Sequence, residues 1–290
     1  MKIDLHIHSK NGSDGRWDIQ DIFAEASRRG IDLISITDHD SIAAQEQAQL
    51  LAKQYGMRFV TGVELNISFS HPGYRSGKGV SLDVLGYGYD YLNTALVEKL
   101  SRLRSHRIKR AGQILENLNA EFRAQGLPEF TGSDMEAIQA GADGALARPH
   151  IAAYLIEKDI VRDKQEAFDR YLVKCDVPKM PLSLMEASSL VRGAGGRLVL
   201  AHPGDPNGTS LVSLTDSLEK QLEIIRGSML DFIDGIECWH SRHDKAHVRA
   251  YLDFTRRNAL MATGGSDCHQ QPPVMGTAAI PGWVAGQFEF

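Results

Sequence analysis

The sequence predicts an α/β protein whose strands form a mostly parallel sheet. Short apolar runs typical of buried strands alternate with patterns typical of amphipathic helices, and after an interruption in the middle of the chain the alternation returns. A chain of 290 residues is long enough for one large domain or for a domain that carries an insertion. Strands of this kind form either an open, doubly wound sheet or a closed barrel.

The first three predicted strands are separated by two predicted helices. The strands are residues 2–9, 31–40 and 58–68. The first helix begins at Asp18 and ends at Gly30, and the second covers residues 41–55 and also ends at a glycine. Residues 81–89 follow a Gly-rich loop and form either a hairpin partner of the third strand or the next strand of the sheet.

The alternation stops in the middle of the chain. Residues 94–126 form one long helical pattern, and shorter helical patterns follow around Pro149. We therefore expect an all-helical insertion over residues 94–180, within a domain formed by residues 1–93 and 181–290.

Strands and helices alternate again after the insertion. The predicted strands are residues 196–204, 231–240 and 258–269, and the predicted helices are residues 214–226 and 245–257. Two nucleotide-binding motifs are absent from the sequence: no GxGxxG follows the first strand, and the stretch "GYRSGKGV" lacks the spacing GxxxxGK[ST]. Their absence weakens the case for an open nucleotide-binding sheet.

Composition and charge exclude several classes of protein. The formal net charge of -5 at pH 7 argues against a polybasic nucleic-acid binder. The three cysteines are few and odd in number, which argues against a disulfide framework. The first residues are too polar for a signal peptide, and no apolar run is long enough for a membrane span. We expect a cytoplasmic protein without a membrane partner.

Histidines and carboxylates occur on or at the ends of most predicted strands. They are His6, His8, Asp38, His39, Glu64, Asp83, His202, Glu237, His240, Asp267 and His269. The carboxyl ends of parallel strands meet on one face of a barrel, so we expect these side chains to converge. Burying so many ionisable groups together is costly unless cations compensate their charge. The pattern therefore predicts a metal centre.

The spacing of the histidines supports this prediction. Side chains two residues apart on a strand point the same way, so His6 and His8 can hold one metal ion together. Asp267 and His269 repeat this spacing on the last strand, and Glu64 has two oxygens with which to bridge two ions. A mixed nitrogen and oxygen set suits Mn, Fe or Zn better than Ca or Mg.

Six motifs occur in an order that resembles a known family. They are "HIHS", "SDG", "TDHD", "GVELN", "AHPG" and "GSDCH". Together they resemble the PHP (polymerase and histidinol phosphatase) family of metal-dependent phosphoesterases. The long helical insertion is similar to the branch that contains nucleoside 3′,5′-bisphosphate phosphatases and a 5′→3′ exoribonuclease. The resemblance implies a distorted (β/α)₇ TIM-like barrel with two or three divalent metal ions.

The resemblance also implies which residues hold each ion. The first set is His6, His8, Glu64 and Asp267, the second is Glu64, His202 and Asp83, and the third is Asp14, His39 and His269. Asp83 departs from the family, which usually has His at this position. An aspartate is shorter and anionic, so we expect the metal preference or occupancy of the second set to differ.

Further residues are implied to act on the substrate. The stretch "ARPHIAAYL" assigns Arg148 and His150 to phosphate binding. Weaker candidates for the same role are Lys179, Arg242 and His243. His202 or His150 is expected to help protonate the leaving oxygen, and Asp38 to act on the reacting water.

These assignments predict hydrolysis of phosphomonoesters of nucleotides, namely nucleoside 3′,5′-bisphosphates or the 5′ ends of short RNA, by attack of a hydroxide that bridges metal ions. One alternative is an amide hydrolase of the amidohydrolase type, which commonly has a modified Lys on strand four, where this sequence has Asp83. A second alternative is a metal-binding module without catalysis, against which the intact ligand set argues. The sequence leaves the oligomeric state open.

Overall fold

The computed structural model describes residues 1–140 and 148–288. The chain divides into two compact units. The first unit consists of Met1–Glu98 together with the chain from Pro181 onward, and the second is Lys99–Met180.

Strands occur in the first unit of the described chain. They are β1 (Ile3–Asp4), β2 (Leu33–Ile34), β3 (Arg58–Phe59), β4 (Gly62–Phe69), β5 (Val80–Tyr87), β6 (Arg197–Leu200), β7 (Gly235–His240) and β8 (Met261–Gly265). The α-helices of the described residues are α1 (Ile19–Arg28), α2 (Gln45–Tyr55), α3 (Thr94–Gln125), α4 (Gly132–Ala140), α5 (Arg148–Glu157), α6 (Lys164–Ala167), α7 (Leu184–Gly193), α8 (Leu218–Ser228) and α9 (Lys245–Arg257).

The strands form two hydrogen-bonded sheets. A parallel sheet has the order β1-β2-β3, and a five-stranded sheet has the order β4-β5-β6-β7-β8. In the second sheet β5 pairs antiparallel with both β4 and β6, whereas β6, β7 and β8 are parallel. Strand β5 is therefore a hairpin partner of β4, one of the two roles expected for it.

Single bridges join the edges of the two sheets. Ile7 bridges to Cys268 beyond β1 and β8, and His39 bridges to Glu64 between the end of β2 and β4. The ladders of the described strands thus stop short of the single closed barrel that was expected. Regular pairing of β1, β2 and β3 covers only two residues each, and beyond it single backbone hydrogen bonds continue, such as that from Thr37 N–H to the oxygen of Ile7.

Several boundaries differ from the sequence prediction. The third predicted strand is divided into β3 and β4, and α2 and α8 each begin four residues later than expected. Helix α7 was not predicted. It begins after Ser183, whose hydroxyl accepts the N–H of Glu186, and two serines in the middle of the helix obscure its apolar pattern.

The second unit contains helices and no strand among its described residues. Its core is a cluster of buried apolar side chains that includes Ile114, Phe122 and Tyr171. The rings of Phe122 and Tyr171 meet edge to face, with centroids 5.2 Å apart. No helix in the described part of the chain is long and apolar enough to cross a membrane.

Candidate metal centre

The side chains that the sequence predicts as metal ligands come together in the first unit. They form four groups in which the ligand atoms lie within 4.8 Å of one another. The groups are His8, Asp14, His39 and His269; His6, His8 and Asp267; His6, Glu64 and His202; and His39, Glu64 and Asp83. All nine predicted ligands belong to at least one group.

The ends of the strands place these side chains. His6 and His8 follow β1 at alternate positions, and their rings lie 5.1 Å apart between centroids. Glu64 lies within β4, and His202 and Asp267 follow β6 and β8. His202 and Asp267 have positive φ values of 24° and 54°, a conformation that is uncommon for residues with a side chain. The backbone is therefore strained at these two residues, whose side chains lie beside the other predicted ligands.

Glu64 lies at the middle of the cluster. Its Oε2 is 3.3 Å from His6 Nε2, 3.2 Å from His8 Nε2 and 3.1 Å from His39 Nδ1. Its Oε1 is 3.0 Å from His202 Nε2. Asp267 Oδ1 adds a second carboxylate 3.3 Å from His8 Nε2. Two ligands that bind one cation at about 2.1 Å, at angles of about 90–110°, lie roughly 3.0–3.4 Å apart, so these separations suit shared metal ions.

Asp14 forms the centre of a separate group at the edge of the cluster. Its Oδ1 is 3.1 Å from His269 Nε2 and 3.9 Å from His39 Nε2. The loop after β1 thus supplies Asp14 to a group that does not include His6.

Buried atoms without a hydrogen-bond partner test whether metal ions fit the site. Among the described residues these include His6 Nε2, His8 Nε2 and Glu64 Oε2, all within the cluster. Leaving such atoms unpaired in the interior is costly. Imidazole nitrogen and carboxylate oxygen are ligands for Mn, Fe and Zn, so divalent cations would satisfy these atoms. The residues fit the metal ions that the sequence implies.

Hydrogen bonds on the far side of three histidines set which nitrogen faces the cluster. His6 Nδ1 lies 3.0 Å from Glu237 Oε1, and His269 Nδ1 lies 3.1 Å from the backbone oxygen of Asp267. His8 Nδ1 lies 3.4 Å from Ser13 Oγ. The acceptors place the proton of His6 and His269 on Nδ1, which leaves a lone pair on Nε2 for a metal ion.

The electrostatics of the cluster follow from burial and crowding. Burial disfavours the charge of His8, but Asp267 and Glu64 outweigh burial and raise the pKa of His8 to about 10. Burial acts on His202 in the same way, and Glu64 outweighs it and raises the pKa of His202 to about 9. The carboxylates therefore favour positive charge at these positions, and divalent cations would supply it.

Asp83 shares a group with Glu64, as the resemblance implies, and the third member of this group is His39. His202 forms a group with His6 and Glu64. Asn66 Nδ2 donates to Asp83 Oδ1 at 2.7 Å. Burial and the charge of Glu64 raise the pKa of Asp83 to about 8. The short aspartate side chain thus joins the cluster on the His39 side of Glu64.

Asp38 is held by hydrogen bonds beside the cluster. Both of its oxygens accept hydrogen bonds from Ser9, one from the backbone N–H at 2.6 Å and one from the hydroxyl at 2.7 Å. Asp38 therefore ties the end of the second strand to the loop that carries Asp14. It positions this loop, and its role toward a reacting water stays a prediction.

His243 is also committed to internal contacts. Its Nδ1 lies 3.0 Å from the backbone oxygen of Cys238, and its Nε2 accepts the N–H of Gly204 at 3.1 Å. Both ring nitrogens are occupied, so His243 holds the loop after β6 and does not bind substrate as expected. Arg242, the other predicted cation of this stretch, pairs with Asp205 at 2.6 Å.

The remaining predicted substrate residues lie in the second unit. Arg148 at the start of α5 donates to Asp176 Oδ2 at 2.7 Å and lies over the ring of Phe168. His150 and Lys179 belong to the same unit.

Three residues that contribute to the site were not predicted from the sequence. Ser13 is fully buried, donates to Asp14 Oδ1 at 2.9 Å and accepts the N–H of His39 at 3.0 Å. Asp205 and Gln270 are buried in loops next to ligands. Only their closeness to the motifs "SDG", "AHPG" and "GSDCH" could have pointed to them.

Comparison with known proteins agrees with this geometry. The family model described as the PHP domain matches residues 4–174. A 3′,5′-nucleoside bisphosphate phosphatase from Chromobacterium violaceum is 28% identical over 92% of this chain and 87% of its own length. A 5′-3′ exoribonuclease from Haemophilus influenzae is 27% identical over 92% of this chain and 90% of its own.

A solved structure shows the same fold. A protein from Bifidobacterium adolescentis, assigned as a metal-dependent phosphoesterase, superimposes with a TM-score of 0.75 at 26% identity. The match covers 98% of this chain and 94% of that protein. The clustered histidines and carboxylates, the matching family model and this fold together place the chain in the PHP domain family.

Proposed function

We propose that this protein is a metal-dependent phosphoesterase that hydrolyses phosphomonoesters of nucleotides, with nucleoside 3′,5′-bisphosphates or the 5′ ends of short RNA as substrates. The observation that carries the proposal is Glu64, a buried carboxylate within 3.3 Å of nitrogens from four histidines. The names of the phosphatase and exoribonuclease relatives support the substrate class.

Two or three divalent ions, Mn, Fe or Zn, are proposed as cofactors. Their ligands would be His6, His8, Asp14, His39, Glu64, Asp83, His202, Asp267 and His269. Bound ions of this kind supply an activated water and neutralise phosphate charge, so no serine or cysteine nucleophile is required. Consistent with that, Cys238 and Cys268 are buried, and burial raises the pKa of both thiols.

The chain's own residues hold this centre in shape. Glu237 fixes the orientation of His6, and its Oε2 also accepts the backbone N–H of His202 at 2.8 Å. One carboxylate thereby positions two proposed ligands. Glu64 and Glu237 are buried, and a low-dielectric surrounding strengthens the attraction of a carboxylate for cations.

The helical region of residues 94–180 is proposed to act as a substrate cap. Arg148, His150 and Lys179 would bind phosphate from this region, and Arg242 would do so from the first unit. His202 or His150 would assist protonation of the leaving oxygen. We also propose that the two sheets close in the manner of a barrel, which the bridges at Ile7 and His39 support. The proposed location of the protein is the cytoplasm.

Phosphate release by the purified protein tests the function. The protein is freed of metal with a chelator, loaded with Mn²⁺, Fe²⁺ or Zn²⁺, and given a nucleoside 3′,5′-bisphosphate or a 5′-phosphorylated oligoribonucleotide. We expect turnover that depends on metal and that Glu64→Gln abolishes. A fully metal-loaded protein that cleaves no phosphoester, or that cleaves amides instead, would contradict the proposal.

A further inference from the structure

A buried carboxylate lies beside the metal centre without belonging to the predicted ligand set. Asp205, in the loop after β6, is 1% exposed. Its Oδ1 accepts the N–H of Asn207 at 2.9 Å, and its Oδ2 accepts a hydrogen bond from Arg242 Nη1 at 2.6 Å. A buried carboxylate needs a compensating charge, and Arg242 supplies it.

Arg242 has most of its donors left over. Its side chain is 47% exposed, while that of Asp205 is fully enclosed. A guanidinium has five N–H donors in a rigid fork, and Asp205 takes one of them. Within residues 1–140 and 148–288, Asp205 provides the only ion pair of Arg242. Asp205 therefore holds the guanidinium of Arg242 through one N–H on its buried side. The exposed side of the guanidinium keeps N–H donors for another group.

This fork lies at the edge of the metal centre. Asp205, His240 and Asp267 have ligand atoms within 4.8 Å of one another, and Asp267 is a proposed metal ligand. A phosphate bound at metal ions that Asp267 holds would therefore lie close to Asp205, the carboxylate that pairs with Arg242. Guanidinium forks match the oxygens of a phosphate in spacing and charge.

His240 provides a second donor. Its Nδ1 accepts the backbone N–H of Arg242 at 3.3 Å, so the proton of the neutral ring lies on Nε2. This Nε2 is buried, has no hydrogen-bond partner, and lies 3.6 Å from Asp267 Oδ2. His240 thus presents an N–H toward the cluster, with Asp267 Oδ2 3.6 Å away, in contrast to His6, which presents a lone pair.

We propose that Arg242 and His240 form an anion-binding site for a phosphate group of the substrate, and that Asp205 is the residue that positions Arg242 for this role. The identity of the anion rests on the proposed phosphoesterase function. The same three side chains are unsuited to a further metal ion, because Arg242 already neutralises Asp205 and the Nε2 of His240 carries a proton.

Binding of inorganic phosphate to the metal-loaded protein tests the proposal. Affinity is measured by calorimetry and metal content by mass spectrometry, so that neither readout needs turnover. Arg242→Lys keeps a positive charge for Asp205 but loses the fork. The double variant Asp205→Asn with Arg242→Met removes both charges together, so that neither is left buried and unpaired. The control is Arg192→Lys, because Arg192 forms a similar pair with Asp234 at the opposite end of β7.

We expect phosphate affinity to fall about tenfold or more in the double variant, and less in Arg242→Lys, since a hydrogen bond to a charged group contributes about 1.5–3 kcal/mol. Metal content and the control should be unchanged. Wild-type phosphate affinity in the double variant at full metal content would overturn the proposal. Loss of a metal ion in the double variant while Arg242→Lys binds phosphate normally would overturn it too, by making Asp205 a ligand. Failure of the proposed function would appear separately, as a wild-type protein that binds phosphate but cleaves no phosphoester.

Discussion

Glu237 Oε1 lies 3.0 Å from His6 Nδ1, and both side chains are fully buried. The carboxylate thereby selects the form of His6 whose Nε2 faces Glu64 and Asp267. The centre depends on this outer contact as well as on the atoms that would touch a metal ion.

Replacing Glu237 with glutamine tests that dependence. The amide has one acceptor for two donors, His6 Nδ1–H and the N–H of His202, so one of the two contacts is lost. We expect metal affinity to fall by roughly 10–100-fold while the fold is retained. Calorimetric titration with Mn²⁺ measures the change, and unchanged affinity would mean that His6 needs no support.

Removing the Ser13 hydroxyl should weaken the group around Asp14. Ser13→Ala takes away the hydrogen bond to Asp14 and the acceptor for the N–H of His39. We expect metal affinity at this group to fall about tenfold or more, with the other ions retained. Metal content per chain measures this loss.

The matched control for this variant is Ser35→Ala. Ser35 is equally buried, and its hydroxyl has no hydrogen-bond partner among the described residues. It should keep the metal content of the wild type. Equal loss in both variants would assign the effect of Ser13→Ala to general loosening of the fold.

Gly265→Ala should disrupt the packing of β8 against the first histidine. An added Cβ would lie 2.2 Å from His6 Cβ and 2.4 Å from His6 N, which is too close without movement of the backbone. We expect a loss of about 1–3 kcal/mol in the free energy of unfolding, measured with denaturant. Gly227→Ala in α8 meets nothing within 4 Å and should instead stabilise by up to about 1 kcal/mol.

Metal removal should lower the melting temperature. The carboxylate of Glu64 is buried and that of Asp267 is 13% exposed, and bound cations stabilise only the folded arrangement that brings them together. An ion at 100 times its dissociation constant adds about 2.7 kcal/mol to the free energy of unfolding. Thermal scans with Mn²⁺ and with a chelator measure the difference. Identical melting temperatures would argue against any metal at this site.

That the predicted ligands lie close together could be expected from the sequence, because their positions follow a simple geometry. Strand alternation places His6 beside His8, and strand ends place Glu64, His202 and Asp267 on the same side. The structure brings all nine predicted ligands into shared groups, which periodicity and motif order could anticipate.

Hydrogen-bond partners could not be predicted in the same way. Asp38 lies in the motif "TDHD", and Ser9, 29 positions away in sequence, donates hydrogen bonds to both of its oxygens. His243 is likewise held by Cys238 and Gly204. Such pairings depend on contacts between distant segments, which a local pattern does not encode.

The interrupted first unit has a consequence for biosynthesis. Asp267 emerges from the ribosome about 260 residues after His6 and His8, with the whole helical unit made in between. At a rate of about 5–20 residues per second the wait is roughly 13–50 s. During this time the nascent chain carries the early histidines without their closing carboxylate. Binding of an ion by the complete proposed ligand set can therefore begin only after Asp267 has emerged.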